Sequence, residues 1–206
     1  METRFVYRLV KRIIDITGSI IGLMVFAPVI LFVVVQIKME DGGSIIYKQM
    51  RVGKNGKTFM MLKFRSMVEN AHKMKNMLLQ QNEATGPMFK MKDDPRVTNI
   101  GKLMRTHSFD EIPQFINVLR GEMALVGPRP ALPEEVSAYS VSDSKRLNVM
   151  PGLTGLWQVS GRSDLSYSQM INLDLEYVEK QSIGFDLKIL FKTFIQMFTP
   201  GNSGAY

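Results

Sequence analysis

Two adjacent acids, Asp110 and Glu111, stand in a run that reads Arg105, Thr106, His107, Ser108, Phe109, Asp110, Glu111. A carboxylate can attack phosphorus and hold a covalent intermediate. A divalent cation between a carboxylate pair and a phosphate relieves their repulsion and polarises the phosphorus. The plain alternative is that two acids in a first helical turn only complement the helix dipole. The surroundings weigh against it, because Lys63, Arg105, His107 and Arg129 are available to converge on the pair. Arg129 lies in Gly127-Pro128-Arg129-Pro130, where the flanking prolines hold its backbone extended. A guanidinium set in that way grips phosphate oxygens as a fork. A rigid turn with a solvated Arg is the simpler reading of the same four residues.

The elements that must position these groups follow from periodicity and turn chemistry. Ser108 reads as the cap of a helix running to about Arg120, with a capping-box partner at Glu111. Ile112, Phe115, Ile116 and Leu119 form its expected buried face. Asp110 points away from that face, beside Gln114 and Asn117. Asn99 to Thr106 predicts a short helix carrying Lys102 and Arg105. Ser44 to Arg65 predicts a β-hairpin turning at Asn55-Gly56. Gly56-Lys57-Thr58 resembles the end of a P-loop, but Arg51 stands where that loop needs a glycine. Ser66 to about Glu83 predicts a helix with a Ser66–Glu69 capping box and a stripe of Met67, Ala71, Met74 and Leu78. Thr85 to Pro95 is a loop, Met123 to Val126 a short strand, Pro133 to about Val149 mainly helix, and Asp164 to Gln181 another helix. Pro151 to Arg162 is punctuated by glycine. The last helix starts near Asp186, with Leu187, Leu190, Phe191, Phe194 and Phe198 on one side and Lys188, Lys192 and Gln196 on the other. It suits a membrane interface and a protein core equally.

Lys and Arg number 26 against 19 Asp and Glu, a net charge of +7, which suits an anionic partner. There is no Cys, so disulfides and Cys-based zinc sites are excluded, and with only His72 and His107 a His-rich metal site is not expected. Ile13 to Ile37 is almost wholly apolar. A straight helix of that length runs ~37 Å against a bilayer core of about 30 Å. No small-residue cleavage site follows, which disfavours a secretory signal. Pro28 should bend the helix sharply. Arg4, Arg8, Lys11 and Arg12 precede it and Lys38, Lys48 and Arg51 follow, so both ends favour one side of a membrane. A re-entrant helix and a spanning one are equally compatible with that pattern.

Several long motifs, in order, then resemble the bacterial sugar transferases, the monotopic phosphoglycosyl transferases. They are Lys63 to Met67, Asp94 to Thr98, Ser108 to Gln114, Asn117 to Met123, Val126 to Pro130, Pro151 to Arg162 and Asp186 to Leu190, in a match spanning roughly Lys11 to Phe198. The resemblance implies a small, mainly helical α/β membrane-associated domain. Residues 1–40 would form a basic N-terminus and a re-entrant helix kinked at Pro28. Residues 41–206 would form a cytoplasmic catalytic domain with an interfacial C-terminal helix, at the bacterial inner membrane. It implies that Asp110 attacks the sugar-bearing phosphorus of a UDP-sugar, releases UMP, and passes the phosphosugar to undecaprenyl phosphate. Glu111 would be its partner in placing Mg²⁺ or the lipid phosphate. Lys63, Arg65, Arg105, Arg129 and Arg162 would bind substrate. The stretch Gly86 to Lys90 resembles relatives that begin exopolysaccharide or capsule repeats with glucose or galactose. A non-catalytic basic membrane scaffold is the rival class. Nucleic acid is not an expected partner, since RNP-type aromatics and zinc-finger spacings are absent. Homo-oligomerisation is left open.

Overall fold

The computed structural model describes residues 2–78, 80, 82–83, 89, 91 and 93–198. Gly86, Pro87, Met88 and Lys90 of the sugar-associated stretch lie outside them. The chain opens with α1 (Glu2–Val25) and α2 (Ala27–Asp41), which meet at Phe26 with a bend of 60°. Pro28 sits in the first turn of α2, where its missing N–H costs nothing, and its ring clashes with the preceding turn. The break therefore falls at Phe26, just ahead of Ala27-Pro28. No single helix among the described residues is long and apolar enough to cross a membrane.

The polarity of α1 is inside out. Asp15 and Ser19 are buried against the rest of the chain, while Phe5, Val6, Leu9, Ile13, Ile21, Met24 and Val25 are exposed. Asp15 accepts the Leu125 N–H at 2.8 Å, and Arg12 donates to the carbonyls of Val118 and Leu119 at 2.6 and 2.8 Å. Gly18 and Gly22 leave the space that Leu125 and the Phe115 ring fill, so α1 lies close on the body.

β1 (Ile46–Val52) and β2 (Thr58–Phe64) form the expected antiparallel hairpin, with Tyr47 opposite Lys63 and Arg51 opposite Phe59. Asn55 and Gly56 both take positive φ (55° and 76°) in its turn. Beyond it the Ser66–Glu69 capping box does not form. The helix α3 starts only at Ala71 and ends at Leu78. Residues 66–68 instead pair with 96–98: Thr98 N–H donates to Ser66 O and Val68 N–H to Arg96 O. Met67 therefore belongs to a bridge and not to a helical stripe.

α4 (Asn99–Thr106) is capped by Thr98, whose hydroxyl accepts from Gly101 N–H at 3.0 Å. The single helix expected from Ser108 to Arg120 is instead a 3-10 turn, Phe109–Glu111, followed by α5 (Gln114–Arg120). Ser108 takes a left-handed conformation and caps nothing, and Pro113 begins the new helix. Of the expected buried face, Ile112 is buried and Phe115 packs against the core, but the rest of the face shifts. Gln114, Asn117 and Val118 are buried, whereas Ile116 is exposed, because both α1 and β2 pack on α5. β3 (Ala124–Val126) pairs in parallel with β4 (Gly152–Thr154), inside the glycine-punctuated stretch. Between them lie α6 (Pro133–Ser137) and a 3-10 segment, Asp143–Asn148. α7 (Tyr167–Lys180), capped by Ser166, and α8 (Ile183–Phe198) follow. α8 buries Asp186 and Ile189 and exposes Leu187, Phe191, Phe194 and Ile195. The architecture is thus a mainly helical α/β domain with two two-stranded sheets.

Candidate active site

The site forms where β2 meets the 3-10 turn after α4. Asn117 fixes that meeting. Fully buried, it accepts Leu62 N–H at 2.9 Å and donates to Met60 O at 2.8 Å, so its amide pairs with the free edge of β2. This holds Lys63 over the turn. Lys63 Nζ lies 3.3 Å from Asp110 Oδ2 and 2.7 Å from Glu111 Oε1, so one ammonium serves both carboxylates. Asp110 is buried, and Glu111 is about one-third exposed.

Burial pushes the Asp110 carboxyl up, and Lys63 only partly opposes it. Burial also acts on Glu111, but the ion pair and hydrogen bond with Lys63 outweigh it and hold its carboxyl below the ordinary range. Burial works against the Lys63 ammonium too, yet Glu111 and Asp110 together hold it above the usual lysine value. Lys63 and Glu111 thus favour each other's charged forms, while burial works against charge on Asp110.

Three guanidiniums add their fields. Arg105 acts on Asp110, and its Nε donates to Ser66 Oγ at 3.1 Å. Arg129 and Arg162 act on Glu111. Arg162 takes a positive φ of 45° and donates from Nε to Gln158 O at 3.0 Å. Arg65 is buried beside Gly43, whose backbone passes too close to its guanidinium to admit a Cβ. The positive potential comes from side chains and not from a helix N-terminus. Glu111 N–H and Ile112 N–H already donate to Ser108 O and Phe109 O. His107 packs its ring on Phe109, centroids 5.3 Å apart, and Nδ1 lies 3.2 Å from Leu103 O, which makes it a helix-end packing residue.

The family model described as Bacterial sugar transferase matches residues 6–200. The chain belongs to the bacterial sugar transferases. The galactosyl transferase CpsE of Streptococcus agalactiae serotype III is 47% identical over 191 residues, covering 92% of this chain and 42% of that protein. The exopolysaccharide production protein ExoY of Sinorhizobium fredii is 43% identical over 187 residues, covering 89% and 83%. The undecaprenyl-phosphate galactose phosphotransferase of Salmonella typhimurium is 42% identical over 190 residues, covering 90% and 40%. This sugar transferase thus spans less than half the length of two of these relatives and most of the third.

Around the cluster the sugar transferase fold adds residues that sequence reasoning missed. Arg51 is buried and donates to Pro130 O at 2.9 Å and to Gln49 Oε1 at 2.7 Å. Burial, reinforced by Arg129, brings its guanidinium down to about 10. Glu135 is buried, accepts Leu132 N–H at 2.9 Å, and receives Arg129 Nη1 on both oxygens at 3.2 and 3.1 Å. Arg146 pairs with the wholly buried Asp174. Glu135 closes back on Leu132 N–H, but Leu132 lacks the hydroxyl that announces a capping box in sequence.

Proposed function

We propose that this chain transfers a hexose-1-phosphate, glucose or galactose, from a UDP-sugar to undecaprenyl phosphate, with Asp110 as nucleophile. The observation that carries the reading is Lys63 shared between Asp110 and Glu111, with the charges of Arg105, Arg129 and Arg162 acting on the same two acids. No dense cationic cluster is needed to fold a small domain, whereas a diphosphate needs one. A carboxylate whose charge is disfavoured by burial is a better nucleophile than a solvated one. Relatives named for galactose and glucose phosphotransfer to undecaprenyl phosphate support the donor sugar and the acceptor.

The steps balance simply. An Asp110 Oδ forms a bond to the sugar-bearing phosphorus, the bond to the UMP oxygen breaks, and UMP leaves as a dianion. A lipid phosphate oxygen then attacks the same phosphorus, the acyl-phosphate bond breaks, and Asp110 is restored. Lys63 favours the ionised form of Asp110 before attack and balances the phosphoryl oxygens during it. Arg105, whose charge acts on Asp110, and Arg129, whose charge acts on Glu111, suit the diphosphate. Arg162 suits the nucleotide end. The two adjacent carboxylates fit Mg²⁺, which takes one or two protein carboxylates and completes its shell with phosphate oxygens and water. When bound, the ion neutralises phosphate charge and polarises phosphorus.

The outward apolar face of α1, the bent α1–α2 pair and the apolar stripe of α8 suit a protein seated in one leaflet of the cytoplasmic membrane. That setting lets a soluble donor and a lipid acceptor reach one carboxylate. A basic membrane scaffold would use the same apolar surface but leave the Lys63–Asp110–Glu111 cluster idle. The test is Mg²⁺-supported UMP release from UDP-glucose and UDP-galactose with undecaprenyl phosphate. Asp110→Asn is expected to lose both UMP release and lipid labelling, and donor alone should leave a phosphosugar on Asp110. Full turnover by Asp110→Asn, or single-displacement transfer without the adduct, refutes the mechanism. Vesicle binding without turnover of any UDP-sugar favours the scaffold.

A further inference from the structure

The backbone that carries Arg129 is held at nearly every carbonyl. Val126 O accepts from Lys11 Nζ and from Tyr177 OH, both at 3.0 Å. Pro128 O accepts from Gly152 N–H at 2.8 Å, and Ala131 O accepts from Val52 N–H at 2.9 Å. Between them, Arg129 O accepts from Arg146 Nη2 at 3.1 Å and Pro130 O from Arg51 Nη1 at 2.9 Å. Two guanidiniums from distant parts of the chain therefore grip the carbonyl of Arg129 and the carbonyl next to it.

Both grips are themselves braced. Arg146 is 5% exposed, ion-paired to Asp174, and donates to Tyr139 OH at 2.6 Å from its other terminal nitrogen. Arg51 is 7% exposed, and Gln49 Oε1 accepts from its Nε and Nη2. The Arg129 side chain is tethered by one nitrogen only, Nη1 on Glu135. Its Nε and Nη2 make no hydrogen bond among the described residues, so that edge of the fork is left for a ligand.

We propose that Arg146 and Arg51 are positioning residues, acting through the backbone of Arg129 to aim its open edge at the donor phosphates, with Glu135 fixing the opposite edge. A buried arginine is a costly way to bond one carbonyl. Two of them on the carbonyls of Arg129 and Pro130, with Gly152 N–H on Pro128 O just before, make sense where the backbone carrying the Arg129 side chain must not drift. The argument rests on the donor-phosphate role proposed above for Arg129.

The experiment is a double-mutant cycle on UMP release, with thermal unfolding of each variant as a check on folding. Arg146→Lys keeps the charge opposite Asp174 but loses the planar fork that reaches Tyr139, Asp174 and Arg129 O together. It is expected to lower kcat/KM for the UDP-sugar by about 10- to 100-fold, the cost of a small misplacement. In an Arg129→Ala background the same change should cost little more. Arg51→Lys, reaching the loop from β1, should behave alike. Losses that add fully to that of Arg129→Ala, or no loss at all, overturn the positioning role. So does collapse of the thermal transition in both Lys variants, which would make the two arginines purely structural. Wild-type protein that releases no UMP from any UDP-sugar instead removes the role of Arg129 itself, and is thereby told apart.

Discussion

Replacing Lys63 by Met removes the cation that two carboxylates share. At 3.3 and 2.7 Å, each pair has a gross Coulomb energy of ~5–6 kcal/mol at an effective dielectric of about 20. Desolvation offsets most of that. Breaking a buried pair costs about 3–5 kcal/mol, and the partial exposure of Lys63 and Glu111 lowers the expected loss to about 2–3 kcal/mol. For a chain of this size that is a fall in Tm of about 4–12 °C. The pH dependence has a definite sign. Asp110 already has its folded-state carboxyl raised by burial, and losing Lys63 raises it further. Between the unfolded and folded values the folded protein binds the extra proton, so stability falls as pH rises through that window. The deficit of Lys63→Met should therefore be small near pH 5 and large near pH 8. Lys63 itself, raised above the ordinary lysine value, stays charged across that range and adds no slope in the wild type. The acid limb of UMP release should also move to higher pH in any residual activity. Thermal unfolding in detergent across pH, alongside UMP-release profiles, measures both. A deficit equal at the two pH values, or an unmoved acid limb, would refute the claim that Lys63 sets the charge of Asp110.

Two further outcomes follow from packing. A Cβ at Gly152 would collide with the backbone of Gly127 and with Thr154 O, so Gly152→Ala should split β3 from β4 and destabilise by about 1–3 kcal/mol or more, seen as a lower Tm with a parallel loss of activity. Phe191 and Phe194 are exposed on α8, and changing both to Asp should weaken binding to liposomes several-fold while leaving the body folded by circular dichroism, since neither side chain is part of the core.

The parts of the fold that were legible in sequence are those decided by neighbours. Asn55-Gly56 specified its hairpin because two consecutive positive φ angles suit few other pairs. Asp110 and Glu111 were found because their motif is contiguous, and Lys63 because its type suited them. The errors arise where a distant partner outbid a local one. Ser66 has the spacing of a capping box, yet its carbonyl and hydroxyl serve Thr98 and Arg105. Ser108 has the same spacing, yet Pro113 starts a separate helix and leaves the acids in a tighter turn. Arg51 and Arg146 escaped notice because their partners lie 79, 17 and 28 residues away, and no local pattern announces a guanidinium reserved for a remote carbonyl.

The first helix has a practical consequence for anyone who wants a water-soluble version of this protein. Its greasy side invites deletion, yet its other side supplies the Asp15 acceptor for Leu125, the Arg12 donor at the end of α5, and the Lys11 donor to Val126, one residue short of the arginine loop. Trimming the chain to its hairpin would strip those tethers and open Leu125 and Phe115 to solvent. Solubility must instead be sought by recolouring the outward side chains, Phe5, Leu9, Ile13 and Met24 among them, while the inward ones stay as they are.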